Sequence, residues 1–325
     1  MREVVLCAHD PGGYDVIYPV FEALKTKGAA KTTLFLAGPA GGKQPEYQAE
    51  PADIFQYLAR RVAQEEKLIA VTGTSWNSDV ELLMLRYCKE HGIPTISILD
   101  YWSNYKSRFW LGNEYVLPNY YFVMDEIAAR EAAEDGIDPS IMRIVGQPGL
   151  DAYVDRSMRP ARNRKLLFLS QPLSIVRQKR PLGYTEFDAA EGILKAAASL
   201  GYRVEIKFHP KDTEEMRKRY EDFRVEGNLP ELAAGYEAVV GMSTMGLLQC
   251  ALLGIPVISY QPGFEGEDLC ITNKLQITKG AFSYQELCEQ LRNVENFSLQ
   301  NDNLIWLDGK STQRCVELIC SIGGI

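Results

Sequence analysis

The stretch AVVGMSTMGLLQCALLGIPVI, residues 238–258, has the pattern that decides the fold. An apolar run rich in β-branched residues ends at Gly241, two hydroxyl residues follow, an apolar segment of helical length runs to Gly254, and a second such run begins after Pro256. A short strand, a helix and another short strand in this order are typical of a βαβ unit, in which the two strands are parallel. The stretch therefore predicts a parallel sheet covered by helices.

The same alternation continues along most of the chain. Strands are predicted at residues 3–8, 32–36, 67–72, 94–99, 120–124, 142–145, 165–170, 203–208, 238–241 and 256–260. Helices are predicted at residues 14–27, 51–65, 77–91, 125–135, 185–200, 211–221, 245–253, 283–293 and 310–321.

A basic stretch with a proline, residues 156–164, interrupts this pattern and is typical of a linker between domains. A single hydrophobic core rarely serves as many as 325 residues. We therefore expect an α/β protein of two Rossmann-like domains, residues 1–155 and 165–325, which face each other across a ligand-binding cleft.

The composition argues against several classes of protein. The apolar fraction of 46% and the charged fraction of 24% are ordinary for a globular protein. The net charge of −8 argues against a broad nucleic-acid surface, and the apolar runs are too short for a membrane span. The seven cysteines lack zinc-type spacing and are odd in number, which favours reduced, buried thiols. These features predict a soluble cytoplasmic protein with no nucleic-acid partner, no metal and at most peripheral membrane contact.

Open parallel sheets bind ligands outside the carboxyl ends of their strands, so the loops there are the candidate sites. Ser243, Thr244 and Gly246 follow a predicted strand and begin a helix whose unpaired N–H groups and positive dipole end suit a phosphate. The alternative is a plain serine N-cap on a buried helix. The position after a strand of the second domain favours the phosphate.

Two other loops of the second domain carry polar side chains. Pro210 stops the strand before it, so His209 is expected to point out of the carboxyl edge of the sheet, in a place suited to proton transfer or phosphate binding. The alternative is a loop histidine bonded to the backbone. Gln171 ends the first strand of this domain and adds an amide to the same edge.

The first domain has three such loops. Their candidate ligand-binding residues are His9, Asp10, Gly12, Gly13, Thr74, Ser75, Asp100, Trp102 and Asn104. The glycines let a ligand approach the backbone, but they do not form the GxGxxG pattern of dinucleotide sites. An acid, aromatics and an amide after one strand suit the faces and hydroxyls of a sugar. The alternative is an aspartate that caps a turn above packed aromatic rings.

With these loops, the chain resembles glycosyltransferases of the two-Rossmann GT-B fold, in particular bacterial sialyltransferases, polysialyltransferases and capsule 3-deoxy-sugar transferases. His209-Pro210 matches the His-Pro motif of that group, and Gly241-Met242-Ser243-Thr244 matches its Ser-Ser/Thr phosphate motif. Some members place their base in an acidic pair before a glycine. This chain departs from that pattern and has Asp100-Tyr101-Trp102 there.

The resemblance implies a metal-independent enzyme, with no cofactor, that moves a sugar from a nucleotide-sugar donor, a CMP-activated one among the candidates, to a glycan or lipid-linked acceptor. Asp100 is then the expected base and His209 the expected acid or phosphate partner. The implied nucleotide-binding residues are Gln171, His209, Pro210, Gly241, Ser243, Thr244 and Gly246. The first domain becomes the acceptor domain. A homodimer, and a last helix that returns to the first domain, are both compatible with this resemblance.

Two rival functions remain. A non-hydrolysing UDP-sugar 2-epimerase has the same fold and a His-Pro-type loop, but its phosphate loop usually reads Asp-Ser-Gly-Gly, which differs from Gly241-Met242-Ser243-Thr244. The third class is a non-catalytic protein that binds sugar nucleotides.

Overall fold

The computed structural model describes residues 2–76, 78–154, 158–176, 182–268, 270–299 and 305–325. The chain divides into two compact units: Met1–Asp151 together with Trp306–Ile325, and Ala152–Ile305. The division at Asp151 lies a few residues before the predicted linker at 156–164, of which residues 156 and 157 lie outside the described part of the chain.

The strands, in chain order, are Glu3–Ala8 (β1), Lys31–Leu36 (β2), Leu68–Thr72 (β3), Thr95–Ile98 (β4), Trp110–Leu111 (β5), Glu114–Tyr115 (β6), Tyr120–Val123 (β7), Met142–Ile144 (β8), Lys165–Leu169 (β9), Arg203–Lys207 (β10), Ala238–Gly241 (β11) and Val257–Ser259 (β12). The α-helices are Pro11–Lys27 (α1), Gly38–Gly41 (α2), Pro51–Ala63 (α3), Val80–Glu90 (α4), Glu126–Glu134 (α5), Asp151–Val154 (α6), Leu173–Val176 (α7), Glu186–Leu200 (α8), Glu214–Arg219 (α9), Leu229–Ala233 (α10), Met245–Leu252 (α11), Ile271–Lys274 (α12), Tyr284–Arg292 (α13) and Ser311–Gly323 (α14).

The first unit is built on a six-stranded parallel sheet with the order β2-β1-β3-β4-β7-β8. Because side chains alternate along a strand, Val4 and Leu6 of β1 pack against α1 and α14, whereas Val5 and Cys7 pack against α3 and α4. All six residues of β1 are buried, as expected for a central strand with both faces covered.

The second unit repeats this plan with a four-stranded parallel sheet of order β10-β9-β11-β12. Leu166 and Phe168 of β9 face a core shared with α8 and α13, and Leu167 and Leu169 face a core shared with α11. Each unit is therefore a Rossmann-like α/β domain.

The structure contains the predicted strands and long helices and adds shorter elements. Each predicted strand and long helix is present, with ends shifted by up to three residues. The two-residue strands β5 and β6, which form an antiparallel hairpin, and the helices of four or five residues were not predicted, because such short segments carry no periodicity. The last helix, α14, belongs to the first unit and packs against α1.

Two further observations concern the cysteines and the length of the helices. All seven cysteines are buried and free of disulfides. None of the helices in the described part of the chain is long and apolar enough to cross a membrane.

Candidate functional site

The strand order of the first unit creates a crevice next to β1. The chain passes from β1 to β2 on one side and later to β3 on the other, so the loops that follow β1 and β3 diverge at the carboxyl edge. Ligands of open α/β sheets bind at such a switch point. The loops concerned carry His9 and Asp10 after β1, and Thr74 and Ser75 after β3.

Asp10 joins these two loops. Its Oδ1 lies 2.8 Å from Nδ1 of His9, and its Oδ2 accepts a hydrogen bond of 2.9 Å from the backbone N–H of Trp76. The backbone N–H of Asp10 donates to the hydroxyl of Ser75 at 3.3 Å. The structure thus brings His9, Asp10 and Ser75 together at the ends of neighbouring strands.

Asp100, after β4, lies beside the same loops. Its Oδ1 accepts hydrogen bonds from Nη1 of Arg108 at 2.6 Å and from the hydroxyl of Thr74 at 3.2 Å. Oδ2 points at Gly12 near the N-terminus of α1, where an added Cβ would lie only 2.1 Å from that oxygen. A glycine at position 12 therefore lets the Asp100 side chain approach this helix. The sequence predicted only that this glycine lets a ligand approach the backbone.

Arg108 was missed by the sequence analysis. It is buried, and its Nη1 also donates to the hydroxyl and the backbone carbonyl of Thr74. The guanidinium is thus the counter-ion of Asp100. Its position eight residues after Asp100, in a loop outside any periodic segment, offered no signal in the sequence.

A second missed residue is Glu81, in the first turn of α4. Its side chain is buried, and neither carboxyl oxygen has a hydrogen-bond partner among the described residues. Burial, with a smaller contribution from the negative charges of Asp10 and Asp100, raises its pKa to about 8, against the opposing effect of polar contacts with Ser75 and the backbone of His9. The sequence did contain one indication of Glu81, since a glutamate on the apolar face of a predicted amphipathic helix is unusual.

Two predicted residues do not belong to this cluster. Trp102 is only 1% exposed, and its indole N–H donates to Oδ2 of buried Asp125 at 2.7 Å, so the prediction that it stacks on a sugar is wrong. Asn104 has a positive φ of 58°, and its side chain donates to Ser103, so it serves a turn. The exposed aromatic next to the cluster is Trp76, which is 55% exposed.

The second unit has its own switch point, between β9 and β11. Here a cavity of about 250 Å³ opens within the unit. Its lining includes Lys207, His209 and Pro210 after β10, Ser170 after β9, and the start of α11. The predicted residues His209, Pro210, Thr244 and Gly246 therefore lie around one cavity.

The imidazole of His209 has a defined protonation state. Its Nδ1 accepts a hydrogen bond of 3.1 Å from the backbone N–H of Lys211, so the ring proton is on Nε2. Burial lowers the pKa of His209, and the nearby cations Lys211 and Arg217 lower it further, against the opposing effect of Asp212. The lowered pKa favours the neutral imidazole, in which His209 offers its Nε2–H as a hydrogen-bond donor.

The turn before α11 is organised by side-chain to backbone hydrogen bonds. Oε1 of Gln171 accepts from the N–H of Ser243 at 2.8 Å, and the hydroxyl of Thr244 caps α11 by accepting from the N–H of Gly246 at 3.3 Å. Gly241 ends β11, and a Cβ there would lie 3.2 Å from side-chain atoms of Thr244 and Leu247. Among the described residues, the N–H groups of Thr244 and Met245 donate to no protein group.

Gly246 has a packing role as well. A Cβ there would lie 2.8 Å from Cδ1 of Leu169 and 3.1 Å from Cδ2 of Leu229. Since its N–H is also used by Thr244, Gly246 contributes close packing, and among the described residues the N–H groups at this helix start that lack a protein acceptor are those of Thr244 and Met245.

The floor of the cavity has a hydroxyl group. Ser170 is 4% exposed, and its hydroxyl lies beside the carboxylate of Asp212, whose pKa it lowers against the raising effect of burial. Nζ of Lys207 donates to the carbonyl of Gly227 at 2.7 Å and adds a positive charge to the lining. A neutral imidazole donor, a lysine, a hydroxyl and two helix N–H groups are together suited to an anion of phosphate type.

No protein-family model matches the chain, and no curated protein sequence matches it. Solved structures do. The UDP-GlcNAc 2-epimerase of Methanocaldococcus jannaschii is similar with a TM-score of 0.70 and 14% identity, over 99% of this chain and 100% of that chain. The UDP-GlcNAc 2-epimerase of Neisseria meningitidis, solved with UDP-GlcNAc bound, has a TM-score of 0.69 and 13% sequence identity, over 99% of this chain and 100% of that chain. The glycotransferase of kitacinnamycin has a TM-score of 0.58 and 13% sequence identity, over 98% of each chain.

At these identities the likeness establishes the fold. The chain has the GT-B-type fold with two Rossmann-like domains, as expected from the sequence. These neighbours support the GT-B part of the resemblance and not its sialyltransferase part.

Proposed function

We propose that the protein is an enzyme of nucleotide-sugar metabolism that inverts C2 of a UDP-activated sugar of the UDP-GlcNAc type. The observation that carries the proposal is the cavity of the second unit, in which His209, Lys207, Ser170 and the start of α11 offer donors to a diphosphate. UDP-GlcNAc 2-epimerases of the same fold, one of them solved with UDP-GlcNAc and UDP, support the choice of ligand. Because the sequence has no Asp-Ser-Gly-Gly loop, the backbone N–H groups of Thr244 and Met245 take over part of the phosphate binding.

The reaction needs no second substrate. While C1 keeps its phosphate oxygen, the hydrogen on C2 is not acidic. Departure of the nucleoside diphosphate leaves a cation at C1, and a carboxylate then removes the C2 proton. Return of the proton to the opposite face of C2 and of the diphosphate to C1 completes the inversion, so atoms and charge balance.

The residues divide between these tasks. Asp100 is the proposed base, since its Oδ2 faces the loops of the first unit while Oδ1 is held by Arg108 and Thr74. Asp10, in the neighbouring loop, is the second carboxylate. His209 stabilises the departing diphosphate through its Nε2–H, as a hydrogen-bond donor. The proposed nucleotide domain is thus the second unit, and the proposed sugar domain is the first.

Glycosyl transfer is the second candidate. The chain lacks the paired glycines of the usual epimerase phosphate loop and has Gly241-Met242-Ser243-Thr244 in their place. The likeness to the glycotransferase of kitacinnamycin is consistent with this function. Asp100 would then deprotonate a hydroxyl of a glycan or lipid-linked acceptor.

One experiment separates these functions. The protein is incubated with UDP-GlcNAc in D2O, without acceptor, and followed by proton NMR. Epimerisation is expected to produce the C2 epimer and to replace the C2 proton by deuterium in both epimers. An unchanged spectrum, with UDP released only when an acceptor is added, would replace the epimerase by a transferase. Binding of UDP in titration calorimetry without either reaction would indicate a non-catalytic binding protein.

A further inference from the structure

Glu81 occupies an unusual place beneath the carboxyl cluster formed by Asp10 and Asp100. The side chain is 2% exposed, and both carboxyl oxygens lack a hydrogen-bond partner among the described residues. The backbone leaves room for it: a Cβ on Gly73 would lie 2.9 Å from Oε1, and a Cβ on Gly13 would lie 3.4 Å from it. Gly73 and Gly13 themselves approach so closely that the same Cβ on Gly73 would be 2.8 Å from Cα of Gly13.

The carboxyl is therefore packed under the two loops that form the switch point of the first unit. The groups that face it are the backbone of His9 and the thiol of Cys7 from the β1 segment, the side chain of Ser75 from the β3 loop, and the carboxylates of Asp10 and Asp100. Among the described residues, the groups that shift the pKa of Glu81 include no cation. The nearby guanidinium of Arg108 is paired with Asp100.

A carboxylate in such a place is costly, because a buried charge without a counter-ion loses its hydration, and the polar contacts of Ser75 and the backbone of His9 return only part of that loss. Two neighbouring carboxylates add repulsion. Burial and, to a smaller extent, these two charges raise the pKa of Glu81 to about 8, which agrees with the packing.

We propose that Glu81 is the positioning residue of the carboxyl cluster, an uncharged acid that fills the space under Gly13 and Gly73 and supports the Asp10 and Asp100 loops without adding a third negative charge. Its effect on turnover rests on the proposed function. Its neutral state and its role in packing do not.

Infrared difference spectroscopy tests the charge directly. At pH 6, the spectrum of the wild type minus that of Glu81→Gln is expected to contain the C=O stretch of a protonated carboxylic acid. Glu90→Gln, at the exposed end of the same helix, is the matched control and should lack this band. A difference spectrum with only carboxylate bands at pH 6 would overturn the proposal.

Thermal unfolding gives a second readout that is independent of activity. The folded-state pKa lies above the ordinary value of 4.5, so the folded protein keeps a proton that the unfolded chain loses, and stability falls as the pH rises from about 4.5 to about 8. The Tm of the wild type should therefore drop relative to that of Glu81→Gln across this window, by at most roughly 5 °C per pH unit. A constant difference in Tm from pH 5 to pH 8.5 would contradict the proposal.

The pH dependence of turnover is measured on the same variants. The wild type is expected to lose turnover as the pH rises through about 8, whereas Glu81→Gln stays active and lacks this alkaline limb. If Glu81→Gln folds, binds UDP and is inactive at every pH, Glu81 itself handles a proton and the positioning role is wrong. If no nucleotide sugar is converted by the wild type, the proposed function fails, while the infrared and thermal results still decide on Glu81.

Discussion

Nη1 of Arg108 lies 2.6 Å from Oδ1 of Asp100, and the two side chains are 5% and 16% exposed. Removal of one partner from a buried ion pair leaves an uncompensated charge and costs about 3–5 kcal/mol. Because the Asp100 side chain retains some exposure, the cost here is expected at or below the lower end of that range.

Replacement of the proposed base should therefore have two separable effects. Asp100→Asn is expected to lower turnover by about 10²–10⁴-fold, as for loss of a general base, and also to lower the Tm because Arg108 loses its counter-ion. The double variant with Arg108→Gln should regain part of the Tm but none of the turnover. A double variant that also regains turnover would show that Asp100 acts only through the ion pair.

His209 is expected to bind diphosphate as a neutral donor. His209→Ala should weaken the binding of a UDP-sugar about tenfold, which is the effect of losing one hydrogen bond to a charged group. His91→Ala is the control, since that imidazole is stacked on Tyr87 at the end of α4.

The pH dependence of this binding gives a sharper test. Because the pKa of His209 is below the ordinary value of 6.5, affinity measured by calorimetry should stay constant as the pH rises from 6.5 to 8.5. A UDP-sugar is used because its diphosphate has no ionisation in this range. Affinity that falls steadily over the same interval would indicate a protonated imidazole.

Ser243 and Thr244 should respond differently to alanine substitution. Thr244 caps α11, so Thr244→Ala is expected to cost about 1 kcal/mol of stability, which Thr244→Ser should largely restore. Ser243→Ala is expected to weaken nucleotide binding, and Thr244→Ser to keep it. Titration calorimetry and thermal unfolding of the three variants check both statements. Unchanged affinity in both alanine variants would move the nucleotide away from this loop.

Substitution of Trp102 and of Trp76 should have different effects. Trp102→Phe removes the indole donor from buried Asp125 and is expected to destabilise the protein by about 1–3 kcal/mol. Trp76→Ala, at an exposed position beside Asp10, is expected to leave the Tm nearly unchanged and to raise KM for the sugar nucleotide. A rise in KM for Trp102→Phe with unchanged Tm would reverse this assignment.

Much of the fold was predictable because it depends on local patterns. Short β-branched runs, helical periodicity and the glycine before α11 specify strands and helices within a few residues of one another. The same patterns place His9, Asp10, Thr74, Ser75 and Asp100 after strands of one sheet, and Gln171, His209 and Ser243 after strands of the other. In the first unit the structure joins His9 to Asp10 and Thr74 to Asp100, and in the second unit it joins Gln171 to Ser243.

The remaining features depend on contacts between residues far apart in the chain. The sequence by itself determined the two Rossmann-like domains and the loops that carry polar groups, because these follow from periodicity and from short-range turn chemistry. Only the tertiary structure decided that Trp102 lies in the core while Trp76 is exposed, that Arg108 neutralises Asp100, and that Glu81 is buried without a counter-ion. Burial and charge pairing are set by how helices and loops pack on the sheet, and that packing joins residues that no local pattern connects.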